Sequence, residues 1–168
     1  MIATNPKPLA AVAPHLRIVA NPQARLGLVS RLAAFATTHS VLLLRVSLAI
    51  VFCGFGALKL FPGASPAEHL AGETISSISF GLLKPLLSLP LLGLFEIAIG
   101  LGVLIVPRAR FTIPALLAHL AGTLTPLGLF PQETFAHFPI PTLVGQYILK
   151  NVVLVAAALA ILGTRPKS

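Results

Sequence analysis

Four long apolar stretches constrain this chain more than any other feature of its sequence. They cover residues 41–61, 85–106, 111–130 and 142–163, and a helix needs about 20 apolar residues to cross a bilayer. The runs are continuous instead of alternating, which favours helices over barrel strands. The sequence therefore predicts an all-α integral membrane four-helix bundle. The third run is the most polar, so a long buried or re-entrant segment is the alternative there.

The composition excludes a soluble enzyme. Hydrophobic residues make up 56% of the chain and charged residues only 10%, whereas about 25% of an ordinary soluble domain is charged. Aspartate is absent, and the formal net charge is +8. The basic residues lie between apolar runs, which favours attraction to anionic inner-leaflet lipid over a nucleic-acid surface. Cys53 is the single cysteine, so this chain forms no internal disulfide.

The positive residues also predict an orientation. They precede the first run, lie between the second and third, and follow the fourth: Lys7, Arg17, Arg25, Arg31, Arg108, Arg110, Arg165 and Lys167. The other two connections hold Glu68, Glu73 and Glu133, with Lys84 as the main exception. Because cytoplasmic loops carry the excess of lysine and arginine, both termini are expected in the cytoplasm.

The segments outside the runs give weaker signals. Residues 1–40 lack acids and contain several prolines, which indicates a basic, flexible tail. Within it, residues 25–38 place apolar side chains on one side of a helical wheel, and this pattern predicts an interfacial helix, with disorder as the alternative. Residues 164–168 form a basic C-terminal tail. After the first run, Ser65 and Glu68 are spaced as the N-cap and capping-box partner of a short helix.

Ionisable side chains inside a bilayer need a partner or a route to the interface. Five lie within the runs: Arg45, Lys59, Glu96, His119 and Lys150. At 1.5 Å per residue, Glu96, His119 and Lys150 each fall about 12 to 17 Å deep. We therefore expect a midplane cluster, with Glu96 as the counter-charge of Lys150, His119 in or beside it, and Asn151 next to Lys150. The alternatives are an ion pair that only fixes the helices, and a histidine that bonds a neighbouring helix.

The first two runs also show faces suited to helix packing. Glycines flank Glu96 at Gly93 and Gly100, and small residues let another helix approach closely. In the first run a single stripe contains Arg45, Leu48, Phe52, Gly56 and Lys59. Arg45 lies near the inner surface and Lys59 near the outer one. Each is expected either to join the cluster or to extend to lipid headgroups.

Metal and cofactor signals are weak. The pairs His69 with Glu73 and Glu133 with His137 both have helical i, i+4 spacing, and together they offer four ligands. Nothing in the sequence requires these two connections to meet, so coincidence is the simpler interpretation and no metal is expected. Haem is disfavoured because only His119 lies within a run. No cofactor motif is evident, although the midplane cluster suits a quinone ring.

Three segments resemble the DoxX family of small four-helix membrane proteins. Residues 42–61 (LLLRVSLAIVFCGFGALKLF), 91–105 (LLGLFEIAIGLGVLI) and 147–162 (YILKNVVLVAAALAIL) are similar to its first, second and fourth spans. The residues matched by position are Arg45, Gly56, Lys59, Glu96, Gly100, Lys150 and Asn151. The resemblance covers residues 41–163 and leaves the tail unmatched. The related DUF417 group shares the first-span pattern.

The resemblance implies a multi-pass protein of the bacterial inner membrane. Some DoxX relatives are subunits of a thiosulfate:quinone oxidoreductase, and others belong to membrane oxidoreductase complexes that handle oxidative stress. The implied function is a membrane subunit of a quinone-linked complex, and because the chain has no self-sufficient catalytic motif, activity would require a redox partner subunit. The alternatives are a small transporter or channel formed by a homo-oligomer, and a non-catalytic assembly or scaffold protein.

Overall fold

The computed structural model describes residues 22–107 and 110–164. It contains four helical segments long and apolar enough to cross a membrane: Gly27–Leu58, Pro85–Ile105, Thr112–Leu129 and Leu143–Gly163. The last three agree with the predicted spans to within one residue at each end, and the first begins earlier than predicted. The predicted tails over residues 1–21 and 165–168 lie outside the described residues.

Helix α1 (Pro22–Leu58) is continuous. The helix predicted over residues 25–38 falls within these bounds. Two compact units divide at Thr38 and His39. In the first unit the hydroxyls of Thr37 and Thr38 both donate to the carbonyl of Ala34, at 2.9 Å. These bonds satisfy the polar side chains on the helix itself.

Helix α2 (Glu68–Ile78) lies in the connection after α1. Its predicted N-cap, Ser65, is wrong, because the cap position is Ala67 and no side chain caps the helix. The Glu68 carboxylate instead accepts a hydrogen bond from the backbone N–H of Gly63 at 2.6 Å, so it holds the preceding loop. The buried face of α2 contains Leu70, Gly72 and Thr74.

Helix α3 (Pro85–Ile105) packs antiparallel to the part of α1 that follows His39. A Cβ atom on Gly56 would lie 2.6 Å from the carbonyl oxygen of Gly93, and one on Gly93 would lie 2.5 Å from that of Gly56. Neither position accepts a side chain without movement of a backbone, so the two glycines permit this close approach. The face predicted around Glu96 is confirmed, since Gly93, Glu96 and Gly100 are all buried.

The third and fourth spans each consist of two helices. The third is α4 (Thr112–Leu124) with α5 (Pro126–Leu129), and the fourth is α7 (Leu143–Leu149) with α8 (Asn151–Gly163). The break in the third span has a local cause. Pro126 has no N–H to donate to the carbonyl of Gly122, and that carbonyl accepts instead from the Thr125 backbone N–H at 3.2 Å and hydroxyl at 2.7 Å.

A compact connection joins the third and fourth spans. It contains the short helix α6 (Pro131–Thr134) and an antiparallel hairpin of β1 (Phe135–His137) and β2 (Ile140–Pro141). The hairpin is the only sheet among the described residues, and the sequence analysis did not predict it. The hydrophobic core lies where α1, α3, α4 and α8 meet: Leu48, Phe52, Ile99, Val103, Ile113, Leu116, Leu120, Ala158 and Ile161.

Candidate functional site

Three ionisable side chains from separate spans meet inside the helical core. The Nζ atom of Lys59 donates to Oε2 of Glu96 at 2.6 Å, and Nε2 of His119 lies 3.2 Å from Oε1 of the same carboxylate. Their side chains are only 9%, 7% and 7% exposed, respectively. We call Lys59, Glu96 and His119 the buried triad. One carboxylate thus connects the end of the first span to the third through the second.

The close contact of α1 and α3 positions the lysine. Lys59 directly follows α1, and its N–H donates to the carbonyl of Gly56 at 3.1 Å. Its Cβ lies 3.0 Å from the point where a Cβ on Gly93 would be. The stem of Lys59 therefore begins over the bare backbone of Gly93, and the carboxylate of Glu96 is one helical turn further along α3. A side chain on Gly93 would occupy this route.

His119 is enclosed by two aromatic rings. Its imidazole makes edge contacts with Phe52, at a centroid distance of 5.4 Å, and with Phe95, at 5.9 Å. Its Nε2 atom faces Glu96, so Nδ1 is the ring nitrogen on the side away from the carboxylate. In the neutral tautomer that donates Nε2–H to the carboxylate, Nδ1 carries a lone pair. The triad therefore presents one nitrogen able to exchange a proton.

The charges of the buried triad balance locally. Glu96 is negative, Lys59 is positive, and a neutral His119 adds no charge. Moving two ions out of water is costly, and their attraction offsets that cost only when the geometry is good and hydrogen bonds satisfy the remaining atoms. Oε2 of Glu96 accepts a hydrogen bond from Lys59, and Oε1 lies 3.2 Å from Nε2 of His119.

The predicted pairing of Glu96 with Lys150 is wrong. Lys150 is exposed and forms no ion pair with Glu96, which pairs with Lys59 and contacts His119. Its Nζ lies 3.2 Å from the ring centre of Tyr147 and 5.7 Å from that of Phe55, a cation–π arrangement. The rise per residue places Lys150 at a depth similar to that of Glu96, but depth alone does not fix the direction in which it points.

The remaining predicted polar residues have local partners. Arg45 donates from Nε to the carbonyl oxygen of Val103 at 3.0 Å, and its Nη2 contacts that of Leu104. These carbonyls belong to the last turn of α3, where a cation is favourable. Asn151 donates to the hydroxyl of Thr123 at 3.0 Å and so connects α8 to α4. Neither residue contacts the buried triad.

The structure also brings together ligands from the two connections that share one end of the spans. His69, Glu73 and Glu133 offer donor atoms that all lie within 4.8 Å of one another. We call these residues the surface triad. His137, the fourth residue noted in the sequence, is not part of this group. No feature of the sequence requires the two connections to meet, so coincidence is the simpler interpretation of their ligand spacing. The structure brings the two connections together.

Sequence reasoning missed two features of these sites. It did not decide whether Lys59 pairs with a buried group or extends to lipid headgroups. The facing glycines Gly56 and Gly93 were a signal, because they mark where the lysine stem runs. Sequence reasoning also did not identify Phe95 as a neighbour of His119. Its position next to Glu96 on α3 was a signal. Adjacent residues on a helix point about 100° apart, and a ring as large as that of Phe95 can still reach the side chain that contacts Glu96.

Comparison of the chain with models of known protein families, with curated proteins and with solved structures finds no match. The function must therefore be argued from the geometry of the sites themselves.

Proposed function

We propose that this chain is a DoxX-like membrane subunit of a quinone-linked oxidoreductase complex. The proposal includes insertion in the bacterial inner membrane, with both termini in the cytoplasm and anionic lipids around the basic connections. The carrying observation is that the buried imidazole of His119 lies 3.2 Å, through Nε2, from the carboxylate of Glu96, which is itself paired with Lys59.

The distribution of polarity supports insertion in a membrane. Large apolar side chains are exposed around the spans, including Leu86 at 87%, Val153 at 69% and Ile105 at 69%. The ionisable groups Glu96 and His119 are buried instead. Water would favour the opposite arrangement, whereas lipid favours apolar residues outside and paired ionisable groups inside. The asymmetry of lysine and arginine between the connections supports the orientation.

The residue types around His119 are those that a quinone headgroup would need. Such a ring needs an apolar cleft with one or two polar partners. Phe52 and Phe95 provide aromatic walls, and Nδ1 of His119 provides the polar partner. A bound quinone supplies a two-electron, two-proton couple. Its electrons would pass to or from the redox partner subunit, since the chain has no redox motif of its own.

The buried triad performs the proton chemistry in this proposal. Nδ1 of His119 would take up one of the two protons when a reduced ligand gives its electrons to the partner subunit, and would return that proton when the ligand is reduced again. Glu96 stabilises the imidazolium cation through Nε2–H, as a fixed and already oriented counter-charge. Lys59 holds the carboxylate of Glu96 in place. Arg45 and Lys150 have no role in this step, because neither contacts the triad.

Quinone retention tests the proposal. The protein is extracted with its native lipid in polymer-bounded discs, and the quinone content per chain is measured by mass spectrometry of the organic extract. We expect the wild-type chain to retain quinone and His119→Leu to lose most of it. The matched control is His137→Leu, which removes an exposed histidine outside the triad. Retention should remain unchanged in this control.

Two results would contradict the proposal. One is a wild-type preparation that contains no quinone above the level of the surrounding lipid. The other is equal retention by the wild type, His119→Leu and His137→Leu. Suppose that the wild type carries neither quinone nor a redox subunit, and that His119→Leu still folds. A scaffold role then explains the triad better, because an ion pair that only connects helices needs neither a quinone nor a partner.

A further inference from the structure

The surface triad joins two segments that are distant in sequence. His69 and Glu73 are one turn apart on α2, and Glu133 belongs to α6 in the other connection. His69 Nε2 lies 3.3 Å from Glu73 Oε1, and the donor atoms of all three residues fall within 4.8 Å of one another. Helical i, i+4 spacing explains the first pair. The position of Glu133 beside this pair depends on the fold, because Glu133 is distant from both residues in sequence.

The backbone that carries Glu133 is firmly held. Its carbonyl oxygen accepts from the hydroxyl of Thr142 at 2.7 Å, and its N–H donates to Phe130 at 3.1 Å. The next residue, Thr134, is fully buried, and its carbonyl lies so close to Gly145 that a side chain there would collide with it. The position of Glu133 is therefore set by packing, and not by its interaction with His69.

The backbone that carries the other two ligands is held as well. A Cβ on Gly72 would lie 3.1 Å from Cβ of Pro85, which shows that α2 packs tightly on the start of α3. Leu70 and Thr74, each directly after one of these two ligands in the sequence, are buried. The three donors therefore project from two supported backbones, and rotation of their side chains is enough to bring them onto one point.

The charges within the surface triad are unbalanced. Two of the four acidic residues of a chain with net charge +8 converge here. Neither Glu73 nor Glu133 forms an ion pair with a lysine or arginine in the part of the chain that the structure describes. Like charges held at this separation repel each other, and His69 offsets one of them only when it is protonated. A bound cation would offset both.

We propose that the surface triad binds a divalent transition-metal ion, with Zn²⁺ as the preferred one. Zinc takes histidine nitrogen and carboxylate oxygen at about 2.0 to 2.2 Å, and sites with three protein ligands keep water in the fourth position. Two ligands of a tetrahedral site at that distance are about 3.4 Å apart, close to the 3.3 Å between His69 and Glu73. Ca²⁺ prefers oxygen ligands alone and suits the imidazole poorly.

The metal would cross-link the connection after the first span to the connection before the fourth. It would bind the folded chain and not the unfolded one, so it would stabilise the protein by mass action. Its fourth position would remain open to water or to an anionic ligand. This site shares no residue with the buried triad, and the inference does not depend on the proposed quinone function.

Zinc binding by the full-length chain in detergent micelles tests the inference. Any polyhistidine tag is removed, and the chain is titrated with ZnCl₂ by equilibrium dialysis with metal analysis. We expect one Zn²⁺ per chain, and affinity lower by about tenfold or more in His69→Ala and in Glu133→Gln. The matched controls are His137→Ala and Glu68→Gln, a histidine and a carboxylate in the same two connections. Both should bind zinc as the wild type does.

Rescue and thermal stability make the test independent of misfolding. His69→Cys replaces one zinc ligand by another and should restore most of the affinity that His69→Ala loses. The same zinc concentration should raise the thermal midpoint of the wild type and of His137→Ala by several degrees, and that of His69→Ala by clearly less. A CaCl₂ titration should give much weaker binding than ZnCl₂ for every variant.

Three results would overturn the inference. The first is a wild-type chain that binds no zinc. The second is loss of zinc affinity in His137→Ala equal to that in His69→Ala, which would indicate scattered surface ligands. The third is Ca²⁺ affinity equal to that for Zn²⁺, which would show that the imidazole is not a ligand.

Discussion

The buried triad and the surface triad use nearly the same side chains and differ in what balances them. Each combines a histidine with a glutamate that it contacts, at 3.2 Å between His119 and Glu96 and at 3.3 Å between His69 and Glu73. The third member is a lysine in the buried triad and a second glutamate in the surface triad. The first is therefore neutral by itself, whereas the second carries excess negative charge.

This difference assigns different chemistry to the two sites. In the buried triad a divalent ion would compete with Lys59 for the only carboxylate, so the histidine is left to exchange protons. In the surface triad no lysine or arginine pairs with the two carboxylates within the described residues, and a metal ion is the natural counter-charge. The two sites also differ in their access to water. The side chain of Glu96 is 7% exposed, whereas that of Glu73 is 43% exposed.

Removal of the lysine should have the largest effect. Lys59→Met leaves Glu96 as an uncompensated buried charge, and loss of one partner of a buried pair costs about 3 to 5 kcal/mol. The free energy of unfolding, measured by denaturation in mixed micelles, should fall by this amount. A change below about 1 kcal/mol would show that the lysine does not balance Glu96 in the folded protein.

A side chain at the helix contact should have an intermediate effect and separate the two sites. Gly93→Ala places a methyl group 2.5 Å from the carbonyl oxygen of Gly56 and 3.0 Å from Cβ of Lys59. Overpacking of this kind costs about 1 to 3 kcal/mol. The free energy of unfolding should fall by this amount. Zinc affinity should be unchanged, because the backbones that carry the surface triad are not held by the contact between Gly56 and Gly93. Equal stability of Gly93→Ala and wild type would contradict the close approach of the helices.

Neutralising one ligand of the surface triad should have the smallest effect in the absence of metal. Glu133→Gln relieves repulsion between two carboxylates and leaves the backbone bonds of residue 133 intact. In the presence of a chelator, its free energy of unfolding should lie within about 0.5 kcal/mol of the wild type. A loss of stability comparable to that of Lys59→Met would show that the Glu133 carboxylate stabilises the fold through a partner within the protein, and is not held ready for a metal ion.

Much of the fold was predictable because hydrophobicity and helix length depend on local sequence. The three later spans were located to within one residue at each end. The inward face around Glu96 followed from helical periodicity, and its burial is confirmed. Each of these inferences needed only one helix and its repeat.

Partners across helices were less predictable, for a physical reason. Depth along a span follows from the rise per residue, but the direction of a side chain depends on how neighbouring helices rotate. Lys150 was therefore assigned to Glu96 from depth, whereas the flexible stem of Lys59 reaches the carboxylate from the end of α1. The meeting of Glu133 with His69 depends on the packing of the second connection, and the sequence contains no local signal for it.

A pair of double-mutant cycles tests the central claim most directly, namely that Glu96 is paired with Lys59 and not with Lys150. Unfolding free energies are measured for Lys59→Met, Lys150→Met and Glu96→Gln, and for the two double variants that contain Glu96→Gln. We predict a coupling of about 1 to 3 kcal/mol between Lys59 and Glu96, and less than about 0.5 kcal/mol between Lys150 and Glu96. Strong coupling to Lys150 with additive effects at Lys59 would contradict the account.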